Sequence, residues 1–279
     1  MSRLAALLVL LALAVSLGGC GGDDLADQAK DQVAQAREQL EEIQRDARNV
    51  RKDAEKLRER LADRVRETLR QIRQAVPAAG PQTQAPRSNG SPAETFLTSV
   101  LGSVDAYWTR TLKAADLPEP RVSYLWLRPG QQAQTGCQTV AGDDAAFYCP
   151  GDDTIYVSEV FADRILRIGG DFGVAYVIAH EYAHNVQHEL GWLQAGREVA
   201  VKPFELQADC LAGAWGNSVY QEGKLDRGDV EEAVRTAEAV GDFDETNPQH
   251  HGTPDERRDA WLRGYRGGDP ADCQAVLPA

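Results

Sequence analysis

From Ala26 to Leu61 the small or apolar side chains fall at Ala26, Ala29, Val33, Ala36, Leu40, Ile43, Ala47, Val50, Ala54, Leu57 and Leu61, in alternating steps of three and four. Gln, Glu, Arg and Lys fill the positions between them. This heptad stripe predicts a helix that can supercoil with a partner. Alanine holds many of its core positions, which weakens pairing, so a single solvated helix and a coiled coil both fit the pattern. After Leu61 the spacing changes to Val65, Leu69, Ile72 and Val76, a stutter that would locally unwind a supercoil. No proline or glycine interrupts Asp23–Val76, which allows a rod of about 80 Å at about 1.5 Å per residue. Residues 77–92 (PAAGPQTQAPRSNGSP) offer almost nothing to bury and read as a flexible linker. The pattern therefore divides the chain into a helical stalk over 20–76, a linker over 77–92 and a folded domain over 93–279.

Within that domain Phe96, Val100, Val104, Tyr107 and Trp108 mark a helix over Glu94–Leu112, stopped by Pro118 and Pro120. Short β-rich stretches follow at Arg121–Leu127 and Thr154–Val157, separated by a Gly/Asp-rich segment. Ser158 is placed to cap a short helix over Glu159–Ile168. Further helices are expected at Ala175–Glu189, Lys202–Glu222, Asp229–Ala239 and Asp255–Tyr265. The expected class is α+β, helix-dominated, with a small sheet just before the helix that carries the candidate chemistry.

The N-terminus bears on the compartment. Arg3 precedes an apolar run from Leu4 to Leu17 that is short for a membrane span but suits a signal peptide over residues 1–19. Its end, Leu17-Gly18-Gly19-Cys20, resembles a bacterial lipoprotein signal, which implies lipid on Cys20 and an extracytoplasmic protein anchored to a bacterial membrane. An exported chain can oxidise its thiols. Cys137, Cys149, Cys210 and Cys273 then allow three pairings. Cys137–Cys149 with Cys210–Cys273 is favoured because the first pair closes a short Gly/Asp-containing loop. None has CxxC spacing, which argues against a thiolate zinc site.

Charge removes one class of partner. Residues 23–76 carry 13 acids and 13 bases, whereas residues 92–279 carry 30 acids and 15 bases. A domain this acidic repels nucleic acid.

The candidate chemistry sits at His180-Glu181-Tyr182-Ala183-His184. Residues four apart lie one turn above each other on a helix, so His180 and His184 can present two imidazoles to one metal ion. Glu181 beside them can take a proton from water at that ion. Catalytic zinc needs a third protein ligand and an open position. Glu205 and Asp209, four apart on the next predicted helix, supply a carboxylate for the metal and a second to accept the free N–H of a ligating histidine. His188 continues the ligand face and reads as a packing or surface residue, and Tyr182 as a core contact.

Four ordered blocks carry a family resemblance: Phe147-Tyr148-Cys149-Pro150 with Asp153, Ile155 and Tyr156; Gly170-Asp171-Phe172 leading through Tyr176–Glu181; Glu205-Leu206-Gln207-Ala208-Asp209-Cys210 with Ala212-Gly213; and His251-Gly252-Thr253-Pro254-Asp255-Glu256-Arg257-Arg258. They resemble the bacterial neutral zinc metallopeptidase family of extracytoplasmic proteases over roughly residues 93–265, without the stalk. The layout is similar to that of the glutamate-ligand zincins. This implies one Zn2+ held by His180, His184 and Glu205, with Asp209 supporting a histidine. It also implies a role for His251 in stabilising the oxyanion, beside the alternative that His250 or His251 only caps or packs the last helix. Asn185 departs from the resemblance, since relatives often carry a histidine there.

The function these residues imply is zinc-dependent hydrolysis of a peptide or protein substrate, its backbone laid along a sheet edge near Ile155–Val157. The alternative is a non-catalytic surface lipoprotein with a structural metal and an interaction role. A third possibility is a latent enzyme covered by its stalk or linker. Self-association would run through the stalk.

Overall fold

The computed structural model describes residues 22–75, 92–193, 201–244, 246–247 and 249–276. The proposed signal segment, Cys20 and linker residues 77–91 lie outside them. The chain divides into two compact units, Met1–Glu59 and Arg60–Ala279.

Helix α1 (Gly22–Ala75) starts in the first unit and ends in the second. In the first, Leu40, Ile43 and Val50 of the heptad stripe are exposed. In the second, Val65, Leu69 and Ile72 are fully buried and belong to the main core. Arg73 adds ion pairs to Asp269 and Asp272 at 3.2 and 2.7 Å. The change of spacing after Leu61 thus marks where the helix becomes part of the folded unit. The last four turns, assigned from the pattern to the stalk, pack as core because their apolar side chains follow the new register.

Helix α2 (Pro92–Ala114) contributes Leu97, Val104 and Trp108 to the same core. The sheet has the order β1-β5-β4, with β1 (Ser123–Leu127) parallel to β5 (Thr154–Ser158) and β4 (Ala146–Cys149) antiparallel to it. A two-residue ladder, β2 (Ala133–Gln134) with β3 (Val140–Ala141), lies between. The disulfides are Cys137–Cys149 and Cys210–Cys273, the pairing the loop lengths favoured. The first ties the end of β4 to the preceding loop.

Helix α3 (Glu159–Glu189) starts directly after β5, with the Ser158 hydroxyl accepting from Phe161 N–H at 3.0 Å. The pattern predicted two helices here separated by 169–174. The structure has one run bent at Gly170, whose φ of 69° and ψ of −169° are not helical. Helix resumes at once because the Glu232 carboxylate accepts from Phe172 N–H at 3.1 Å, satisfying a donor of the new first turn. A side chain at Gly170 would collide with that carboxylate, and the positive φ independently favours glycine. The second segment of α3 is almost entirely buried and carries His180 and His184.

Helix α4 (Lys202–Gln221) has Pro203 in its first turn, where its missing N–H costs nothing. Helix α5 (Asp229–Ala239) packs on α3. Helix α6 (Pro254–Gly267) begins with a reciprocal cap, Thr253 accepting from Glu256 N–H and Glu256 from Thr253 N–H. It lies along α4 so closely that a Cβ at Gly213 would strike the Trp261 carbonyl, and one at Gly264 the Cys210 carbonyl. The result is a helix-dominated α+β fold with a small sheet.

Candidate metal centre

The centre forms between α3, α4 and α6. His180 and His184 project from one face of α3, and their Nε2 atoms lie 3.1 Å apart. Glu205, in the first turn of α4, reaches both: its carboxylate is 3.1 Å from His180 Nε2 and 3.3 Å from His184 Nε2. One ligand atom from each residue lies within 4.8 Å of the others, so the three could hold a metal ion.

Each imidazole is oriented through its other nitrogen. His180 Nδ1 is 2.8 Å from Asp209 Oδ1. His184 Nδ1 is 2.8 Å from the Gln187 side-chain oxygen, and the Gln187 amide donates to Phe204 O and Gln207 Oε1 at 2.9 and 3.0 Å. Asp209 is fully buried and accepts from Tyr176 O–H at 2.5 Å and from Arg257 Nε and Nη2 at 2.8 and 2.9 Å.

Two buried carboxylates, Glu205 and Asp209, thus face the buried guanidinium of Arg257, and a third, Glu181, is buried nearby. Burial alone would raise Asp209, but Arg257 and His180 hold it down at about 2. Burial would likewise raise Glu205, and the two imidazoles hold it well below the ordinary carboxylate range. Burial would lower His180, but Asp209 and Glu205 outweigh it and lift the ring to about 10. The site therefore demands further positive charge. A divalent cation facing two Nε2 atoms and a carboxylate meets that demand.

Glu181 stands beside this group, buried, with Oε2 accepting from Tyr148 N–H of β4 at 2.8 Å. Burial raises its carboxyl, with the nearby imidazoles opposing the rise. Strand β4 is an edge of the sheet, while Ile155–Val157 lie in β5, which is paired on both sides. The sheet edge beside the centre is therefore β4 and not the segment expected from the sequence.

The structure does not bring His251 to the ligand group. Its side chain is half exposed and its backbone N–H donates to Asp242 Oδ2 at 3.0 Å. His250 is the buried member of that pair, with Nδ1 2.5 Å from Asp242 Oδ1 and Nε2 without a hydrogen-bond partner among the described residues. His188 contacts Tyr148 O–H and Asp153 at 2.8 and 3.2 Å, a packing role as expected. Tyr182 is a core residue donating to Asp105 at 2.7 Å. Asn185 is buried and donates to Arg121 O and Tyr148 O–H. Spacing along the chain assigns no role to Tyr176, Gln187 or Arg257. Arg257 lies in the His251–Arg258 block, but only its burial in the folded chain distinguishes it from Arg258, which pairs at the surface with Glu238, Asp255 and Asp259.

A buried and a part-buried imidazole and a buried carboxylate, converging from adjacent helices, define a protein with a group that could hold a metal ion. The chain belongs to the family described as "Putative neutral zinc metallopeptidase", whose profile matches residues 62–276. The match begins in the last turns of α1, where burial in the core begins. Among relatives, the Escherichia coli (strain K12) "Uncharacterized protein YpfJ" is 34% identical over 219 residues, spanning 69% of this chain and 75% of its own length. The Mycobacterium tuberculosis (strain ATCC 25618 / H37Rv) "Uncharacterized protein Rv2575" is 35% identical over 206 residues, spanning 63% and 68%. No solved structure matches the chain.

Proposed function

We propose that the chain hydrolyses peptide bonds with one zinc ion held by His180, His184 and Glu205. The observation that carries the reading is the convergence of both Nε2 atoms on the Glu205 carboxylate with Glu181 buried alongside. Zinc, when bound, supplies a Lewis acid that polarises the scissile carbonyl and makes water more acidic. Glu181 takes the proton from the attacking water and returns it to the leaving nitrogen. Tyr148 N–H, on the β4 edge, fixes the carboxylate while leaving the second oxygen for that transfer. An extended substrate would add to the same edge through backbone hydrogen bonds. The reading further takes residues 1–19 as a lipoprotein signal and Cys20 as the anchor to a bacterial membrane.

A structural metal would be enclosed by four protein ligands, and the group found among the described residues supplies three. The test is Glu181→Gln, assayed by zinc content and by digestion of a mixed peptide library. Zinc should be retained and turnover should fall by about 10²–10⁴-fold. Undiminished turnover would remove Glu181 from the proton-transfer role, and a zinc-loaded wild type that cleaves nothing would return the chain to a binding role.

A further inference from the structure

Arg257 is a guanidinium almost fully enclosed, an expensive placement unless every donor is used. Nε and Nη2 grip the two oxygens of Asp209 in a fork at 2.8 and 2.9 Å. Nη1 donates to the Val240 carbonyl at 3.2 Å, and Nη2 also lies 3.4 Å from Tyr176 O–H. The same Nη2 is 3.4 Å from both ring nitrogens of His180 and 3.8 Å from Glu205. Nη2 is thus equally close to the two ring nitrogens, one of which meets Asp209 and the other Glu205.

Several features deliver this side chain. The Thr253–Glu256 cap fixes the first turn of α6, and Lys202 of α4 pairs with Glu256 at 2.6 Å. The close approach at Gly213 and Gly264 sets the spacing of the two helices. Lysine could supply the charge at this position but not the fork, since only guanidinium matches a carboxylate with two parallel N–H bonds.

We propose that Arg257 is a positioning residue of the metal centre. It locks Asp209, and through Asp209 the ring of His180, in the orientation that turns Nε2 toward His184 and Glu205. The inference rests on reading His180, His184 and Glu205 as zinc ligands.

The experiment uses the full chain, with zinc affinity measured by competition against a chromophoric chelator and site geometry by the visible spectrum of the cobalt(II)-substituted protein. Arg257→Lys keeps the buried charge but not the fork, and should remain folded in chelator with a lowered thermal midpoint. Its zinc affinity should nevertheless fall by about 10–100-fold, the usual loss when a group supporting a metal-bound histidine is removed, and its cobalt bands should shift. Because Arg257 acts through Asp209, combining Arg257→Lys with Asp209→Asn should cost no more than Asp209→Asn alone. Wild-type affinity and bands in Arg257→Lys, or losses that add in the double variant, would overturn the positioning role. Failure of the wild type itself to bind zinc is a separate outcome that would remove the zinc reading beneath it.

Discussion

The two histidines of α3 occupy equivalent positions one turn apart, yet their supports differ. His180 leans on a buried carboxylate that is itself held by a guanidinium and a phenol. His184 leans on an amide that continues into another amide and a backbone carbonyl. A carboxylate behind an imidazole raises its basicity as well as orienting it, whereas a neutral amide chiefly orients. The centre is thus asymmetric, with charge concentrated on the α4–α6 side and neutral hydrogen bonding toward the end of α3.

The sharpest way to test that asymmetry is to remove groups in turn and read zinc affinity. Glu205→Ala takes away the carboxylate both rings face and should lower affinity by more than about 100-fold, beyond the usual loss of a supporting partner. A full complement of metal after gel filtration would place the third ligand elsewhere. Asp209→Asn, on the charged side, should cost about 10–100-fold. Gln187→Ala, on the neutral side, should cost about two- to tenfold, the worth of one ordinary hydrogen bond. Equal losses for these two would erase the distinction between the supports. Leu69→Ala probes the fold outside the centre. It should destabilise by about 2–5 kcal/mol in chemical denaturation while zinc affinity stays put. Leu40→Ala, on the exposed part of the same helix, should fall within about 0.5 kcal/mol.

What could be read from the sequence follows from the range of each interaction. His180 with His184, and Glu205 with Asp209, are pairs at helical spacing, so periodicity alone places each pair on one face. Ser158 as a cap and the short cysteine loop are equally local. Arg257 meets Asp209 at a sequence separation of 48 and Tyr176 at one of 81, and no pattern within a helix encodes those meetings. Strand β4 was missed because its four residues sit in a Gly/Asp-rich stretch and become a strand by pairing with β5. The last turns of α1 were misplaced for a related reason. Val65, Leu69 and Ile72 announce a change of face, but only the folded unit shows what that face meets. His250 and His251 are adjacent and chemically identical, and burial alone separates them.

The crossing of α4 and α6 at Gly213 and Gly264 sets the tolerance of the whole centre. Arg257 stands seven residues before Gly264, about 10 Å along the helix, so α6 behaves as a lever with its fulcrum at the crossing. Prising the fulcrum open by a single methyl group would swing the guanidinium away from Asp209. Two positions that carry no functional group at all therefore belong among the most sensitive in the chain, and loss-of-function alleles should gather there as readily as at the histidines.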